Sequence, residues 1–177
     1  MALSKIDTPA LEADAVDNTI LDVASDFAFT GTVTGAGVSG KVLQVKHFVS
    51  NTEKSTSSTS YNSSGLYLDI TPSSTSSDIY VSMSFMMGTS ANGPPEYRIY
   101  RGSTGIGGST KFQADANWNN SLDRGTLTAL DSPNTTSSTR YQLYFRRTGS
   151  GTARIGRNHD GFVTNNSTLI TLMEIAG

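Results

Sequence analysis

The sequence predicts an all-β fold: a two-sheet antiparallel sandwich, jelly-roll-like, with an extended N-terminal arm. Three observations predict it. Serine and threonine make up 48 of 177 residues and gather in runs at 52–60, 73–77 and 135–139. Each run is followed by apolar/polar alternation of period two, the pattern of a half-buried strand. The chain has no cysteine and is only 16% charged. Hydroxyl-rich loops between strands, not charged helices or a disulfide framework, therefore define its architecture.

The elements follow in order. Residues 1–40 hold the denser acidic run, including Glu12, Asp14, Asp17, Asp22 and Asp26, with irregular apolar spacing. Pro9 breaks the start of any helix, and a short helix around 9–15 would not be stable alone. A strand-like piece from Phe27 ends in Gly31, Gly35 and Gly37. Such a segment cannot close its own core, so 1–40 is read as an arm docked on a neighbour, most simply another subunit. From Lys41 to Gly177 the pattern is that of a β-sandwich knob. Leu43, Val45, His47 and Val49 form the apolar phase of a first strand. Leu66, Leu68 and Ile70 mark a second, and Ile79 to Met87 the strongest. Tyr97 with Ile99, Leu127 with Ala129, and Tyr141, Leu143 and Phe145 mark three more. Ile155 marks a short segment, and Leu169, Thr171, Met173 and Ile175 the last. About eight strands suit a jelly roll or a related sandwich.

One internal echo supports two packed sheets. Leu68-Asp69-Ile70-Thr71-Pro72 runs through hydroxyls into Asp78-Ile79-Tyr80-Val81. Leu130-Asp131-Ser132-Pro133 runs through hydroxyls into Arg140-Tyr141-Gln142-Leu143. Proline ends each strand because it cannot donate to the ladder. The two read as equivalent corners.

Composition narrows function. Net charge is −2 with a pI near 5.6, so there is no basic excess to neutralise phosphates and no nucleic-acid partner is expected. No run of 18 apolar residues exists, so no membrane insertion is expected. Nor does the start Met1-Ala2-Leu3-Ser4-Lys5 carry the apolar core of a signal peptide. The sequons at Asn62, Asn119, Asn134 and Asn166 are read as polar loops, not glycan acceptors. Hydrophobic content of 36% is below the roughly 45–50% (glycine included) usual for a globular domain. Burial between chains would compensate for so thin a core.

The stretch Thr59-Ser60-Tyr61-Asn62-Ser63-Ser64-Gly65-Leu66-Tyr67-Leu68-Asp69-Ile70-Thr71-Pro72-Ser73-Ser74 resembles small virion proteins of tailed phages, marine and cyanobacterial ones especially. The closing Ser167-Thr168-Leu169-Ile170-Thr171-Leu172-Met173-Glu174-Ile175 is similar to the last strand of that family. Leu3-Ser4-Lys5-Ile6-Asp7 and Phe29-Thr30-Gly31-Thr32-Val33 resemble virion-proximal segments of phage fibres. The resemblance spans about half the chain. It implies a homotrimeric β-sandwich knob on an arm that binds other virion proteins, placed on the particle surface. It covers tail fibres and head decoration proteins alike.

The residues carry little catalytic chemistry. A triad needs a base beside a nucleophile. His47 sits in the apolar phase of its strand and reads as a core or interface histidine. His159 sits in a polar turn with Arg157, Asn158 and Asp160. No carboxylate pair of glycosidase type stands out, so no enzyme and no cofactor are expected. Asp115 to Asp123 places side-chain oxygens at alternate positions like a calcium loop. Asn120 stands where the turn glycine belongs and Thr126 where the bidentate glutamate belongs, so it reads as an Asn-rich turn with no metal. Gly102 to Lys111 is glycine-rich but lacks the Gly-Lys-Ser/Thr run of a phosphate loop, and reads as a flexible hairpin connection. The aromatic set Tyr97, Tyr100, Trp118, Tyr141 and Tyr144 is more informative, because sugars stack on aromatic faces. Trp118, Asn117, Asn119 and Tyr97 are the candidate glycan contacts. Two functions are carried forward: a short tail fibre whose knob reads a host cell-surface glycan, and a head fibre or decoration protein fixing the capsid.

Overall fold

The computed structural model describes residues 40–90, 94–111, 122–156 and 167–177. The expected arm, apart from Gly40, lies outside them. Ten strands and no helix occupy the described residues: β1 (Val42–Ser50), β2 (Lys54–Thr56), β3 (Asn62–Ile70), β4 (Asp78–Thr89), β5 (Pro95–Arg101), β6 (Thr104–Lys111), β7 (Leu122–Asp131), β8 (Thr139–Arg147), β9 (Ala153–Ile155) and β10 (Thr168–Ile175). They form two antiparallel sheets. One contains β1, β10, β4 and β7 with the short β9 and β2; the other runs β3-β8-β5-β6. β7 pairs one edge of β4, while β10 and then β9 pair the other. β2, paired to β9, continues the line of β1. Number the eight long strands in chain order. The first sheet then reads 1-8-3-6 and the second 2-7-4-5, which is the wrapping of a jelly roll.

Alternation decides which side chains meet. β4 buries Ile79, Val81, Met83, Phe85 and Met87. β5 and β8 answer with Tyr97, Ile99, Tyr141, Leu143 and Phe145. Phe85 and Tyr97 lie 4.9 Å apart, tilted, and Tyr97 stacks on Phe145 at 6.2 Å. Each fully buried side chain of this size contributes on the order of 1.5–3 kcal/mol. Gly125 leaves room for the Met87 side chain in this packing: a Cβ there would meet its sulfur at 2.6 Å.

Both hydroxyl corners cross between sheets, as the echo predicts. The loop after β3 leads into β4, and the loop after β7 leads into β8. A carboxylate holds each. Glu174 accepts from the Ser73 N–H at 2.7 Å, the Ser73 hydroxyl at 2.6 Å and Gln44 Nε2 at 2.6 Å. Asp131 accepts from Arg101 at 2.9 and 3.0 Å and from the Tyr141 hydroxyl at 2.6 Å.

Three sequence expectations are corrected. The glycine run from Gly102 is not simply a connection: Gly102 and Ser103 turn the chain, and the rest is the edge strand β6. Arg98 pairs Ser109 while Ile99 pairs Ile106, so Gly107 and Gly108 form a bulge, with Gly107 at φ +60°. A left-handed residue at a bulge favours glycine. Within 52–60, read as loop, three residues form β2. The third correction concerns β1 and β10, whose faces are reversed. Ile170, Leu172 and Glu174 point inward, as do Gln44 and Phe48 less deeply, while Val45, Val49 and His47 point out. His47 is therefore not a core histidine. Its ring is exposed, with Nδ1 3.0 Å from Thr171 Oγ1. The inward polar pair is accommodated because Gln44 and Glu174 satisfy each other at the first corner.

Candidate functional site

The phase that buries Tyr97, Ile99, Tyr141, Leu143 and Phe145 forces their neighbours outward. The outer face of the second sheet therefore displays Arg98 and Tyr100 from β5 and Arg140, Gln142, Tyr144 and Arg146 from β8. Register brings them into rows: Tyr67, Gln142 and Tyr100 across β3, β8 and β5, then Ser63, Tyr144 and Arg98. Tyr100 and Tyr144 sit diagonally and stack, with centroids 3.9 Å apart and planes within 19°. Tyr61, just before β3, adds a third ring 6.0 Å from Tyr100.

Guanidinium groups frame these rings. Arg146 lies over Tyr61 at 4.6 Å and Arg140 over Tyr67 at 3.7 Å, within cation–π range. Each is also paired. Arg140 grips Asp69 with two bonds of 2.8 and 2.9 Å, and Arg146 Nε donates to Glu96 at 2.7 Å. Glu96 is buried and also accepts from Ser109 at 2.9 Å. Arg98 donates to the carbonyls of Gly105 and Gly107. Hydrogen bonds from Arg140 hold the Asp69 carboxyl below its usual range, and Asp69 in turn raises Arg140. Glu96 likewise raises Arg146, and burial raises the Tyr61 phenol. Asp69 and Glu96 are thus each neutralised by an arginine on this face.

Gln142 links the rows. Its amide accepts from Ser63 at 2.8 Å and donates to the Gly102 carbonyl at 3.0 Å. Beside Tyr67, at the edge of the sandwich where β1 approaches β3, lies a groove of about 510 Å³ lined by Phe48, Gly65, Tyr67, Leu68 and Asp69. Rings, amides, hydroxyls and balanced ion pairs make a surface suited to stacking on, and hydrogen bonding with, a neutral polyol. Among the described residues no three His, Asp or Glu side chains gather as a metal site, and no helix is long and apolar enough to cross a membrane.

The sequence-predicted contacts fare differently. Tyr97 is a correction: it is fully buried, its hydroxyl donates to the Arg154 carbonyl at 2.5 Å, and it offers no ring face to a ligand. Trp118, Asn117 and Asn119 lie outside the described residues, as do His159 and most of the calcium-like loop. Tyr141 turns inward; Tyr100 and Tyr144 turn outward. Tyr61 and Tyr67 were missed as site residues, although Tyr67 lies in the phase opposite Leu66 and Leu68.

No family model matches the chain, and no curated protein does. Among solved structures, dimeric latent PorU from Porphyromonas gingivalis is similar over 81% of this chain and 14% of its own, at 14% identity and a TM-score of 0.44. The VP2 subviral particle of infectious bursal disease virus is similar over 78% of this chain and 38% of that one, at 12% identity and a TM-score of 0.40. T=1 particles derived from the same virus give 78% and 37%, at 13% identity and a TM-score of 0.40. The chain spans well under half the length of each.

Proposed function

We propose that this chain is a non-enzymatic structural protein of a virion, serving a tailed phage as a trimeric short fibre whose jelly-roll knob contacts glycans on the host surface. The observation that carries the reading is the outward Tyr100–Tyr144 stack, set among Gln142, Ser63 and two self-neutralised arginine–carboxylate pairs. Such a face matches the chemistry of a sugar ring: one apolar side to stack and a rim of hydroxyls to bond. A binding role is further supported because Asp69 and Glu96 are each committed to an arginine. The jelly-roll order supports a virion or lectin-type role only as a class, since jelly rolls serve capsids and lectins alike. The sequence resemblance to phage fibre and decoration proteins narrows it. Three equivalent weak sites would give avidity on a repetitive surface without any site being tight.

The alternative, a head fibre or decoration protein, shares the fold and differs in place and ligand. Antibodies to residues 41–177, viewed on intact particles by electron microscopy, separate the two. Label at the tail, with excess purified protein blocking adsorption to host cells, is the expected result. Label over the head with adsorption unaffected would make this a decoration protein. No label on any particle would overturn the virion reading.

A further inference from the structure

The outer face of the first sheet, opposite the tyrosine face, carries an apolar row in strict register. Val45 pairs Met173, Met173 pairs Tyr80, and Tyr80 pairs Leu130. The ends of the row are the most open: Val45 is 56% and Leu130 63% exposed. Two same-face positions along, beyond His47, lies a second exposed valine, Val49 at 51%, opposite Leu169. An isolated exposed apolar residue needs no explanation, but a contiguous row across four strands does.

We infer that this face, centred on the row Val45–Met173–Tyr80–Leu130, is the contact between copies of this chain. The inference deepens the trimer reading proposed above and rests on it. Three observations point to a second copy as the occupant. First, the centre of the face is uncharged, with Arg124, which donates to Ser84 at 3.3 Å, and Asp78 at its margins. The row itself, the His47–Thr171–Ser82–Thr128 row beside it and the Val49 row beyond contain no Asp, Glu, Lys or Arg. In a trimer the side chains nearest the threefold axis meet their own copies, so a charge at the centre of the face would meet its like. Second, the size is of the right order. Four strands at about 4.8 Å spacing and about seven residues of strand give roughly 450 Å² in projection. Side-chain relief brings that towards the ~800 Å² per partner of a standard interface. Third, the alternative of pairing edge to edge through β1 is blocked. Lys46 and Gln44 fold over towards the second sheet, donating to the carbonyls of Asp69 at 3.1 Å and Thr71 at 2.8 Å. A lysine on an edge strand opposes strand addition, so β1, the edge next to Val45, does not compete with the face for a second copy.

The test uses the full chain and two variants, Val45→Asp and Leu130→Asp, at opposite ends of the row. Both side chains are already more than half exposed, so aspartate meets water in a lone subunit. Mass is read by sedimentation equilibrium, and folding by thermal melting. The expected result is an oligomeric wild type and variants whose dissociation constant rises about thirtyfold or more, a hot-spot-sized loss, with unchanged melting of the isolated subunit. Variants that assemble as tightly as wild type would overturn this face as the contact and leave the trimer standing. A wild type monomeric at every concentration would overturn both.

Discussion

The carboxylate of Glu174 accepts both the backbone N–H and the hydroxyl of Ser73, fastening the last strand to the first corner between the sheets. Burial alone would raise the pKa of this group. The hydrogen bonds from Ser73 and Gln44 outweigh that and hold it down to about 2, against an ordinary 4.5. A carboxyl whose folded pKa is depressed stabilises the fold above its unfolded pKa and loses that stabilisation as pH falls through the folded value. Melting temperature should therefore decline as pH drops from 4.5 towards 2. Glu174→Gln should lose about 2 kcal/mol at neutral pH, since the bonds to a charged acceptor become neutral ones. The same variant should show a flatter acid limb. A variant as acid-sensitive as wild type would contradict the assignment.

Asp131 plays the matching part at the second corner, where it accepts from both Arg101 and the buried Tyr141 ring's hydroxyl. Burial, then Asp131, raises the Tyr141 phenol. Asp131→Ala leaves that hydroxyl without its acceptor and should destabilise by about 2 kcal/mol. Tyr141→Phe should cost less, about 1 kcal/mol, because it removes the polar group itself. Urea melts of the two variants check the order. Equal costs would mean that the Tyr141 bond, and not the corner, is what Asp131 supplies.

Gly125 lies under Met87, and an added Cβ would sit 2.6 Å from the sulfur and 2.8 Å from the methyl carbon. Gly125→Ala should overpack the core by about 1–3 kcal/mol. The penalty should shrink in a Met87→Ala background, where the clashing atoms are gone. A double-mutant cycle measures the coupling, and additive effects would show that the clash relaxes elsewhere.

How much of this was legible depends on what each strand shows to its two sides. In β4, β5 and β8 one phase is apolar and the other carries Ser, Arg, Gln or Tyr, so inside and outside are unambiguous. β1 and β10 hold apolar residues in both phases, Val45 and Val49 against Phe48, and Leu169 and Met173 against Ile170 and Leu172. A one-residue shift then turns the strand over with little change in apolar content. The observed phase brings Gln44 and Glu174, 130 residues apart, into a hydrogen bond that no local pattern reveals. β6 was hidden because its glycines, bulged at Gly107, carry no period. The tyrosine face was half legible. Tyr97 and Tyr100 are three apart, an odd interval that puts them on opposite faces of one strand, and Tyr141 and Tyr144 repeat the relation. The grouping of Tyr61 and Tyr67 with Tyr100 and Tyr144 needed the register of β3 on β8.

The most direct test of the proposed function is binding of the purified chain to surface polysaccharide extracted from the host, compared with Tyr100→Ala and Tyr144→Ala. Both rings are half-buried and stack on each other, so truncation should cost only the roughly 0.5–1.5 kcal/mol of a lost aromatic pair and leave the chain folded. Loss of one stacking ring should weaken binding about tenfold in each variant. Wild-type binding that survives both substitutions would contradict the tyrosine face as the reader. No binding by the wild type would contradict the glycan reading itself.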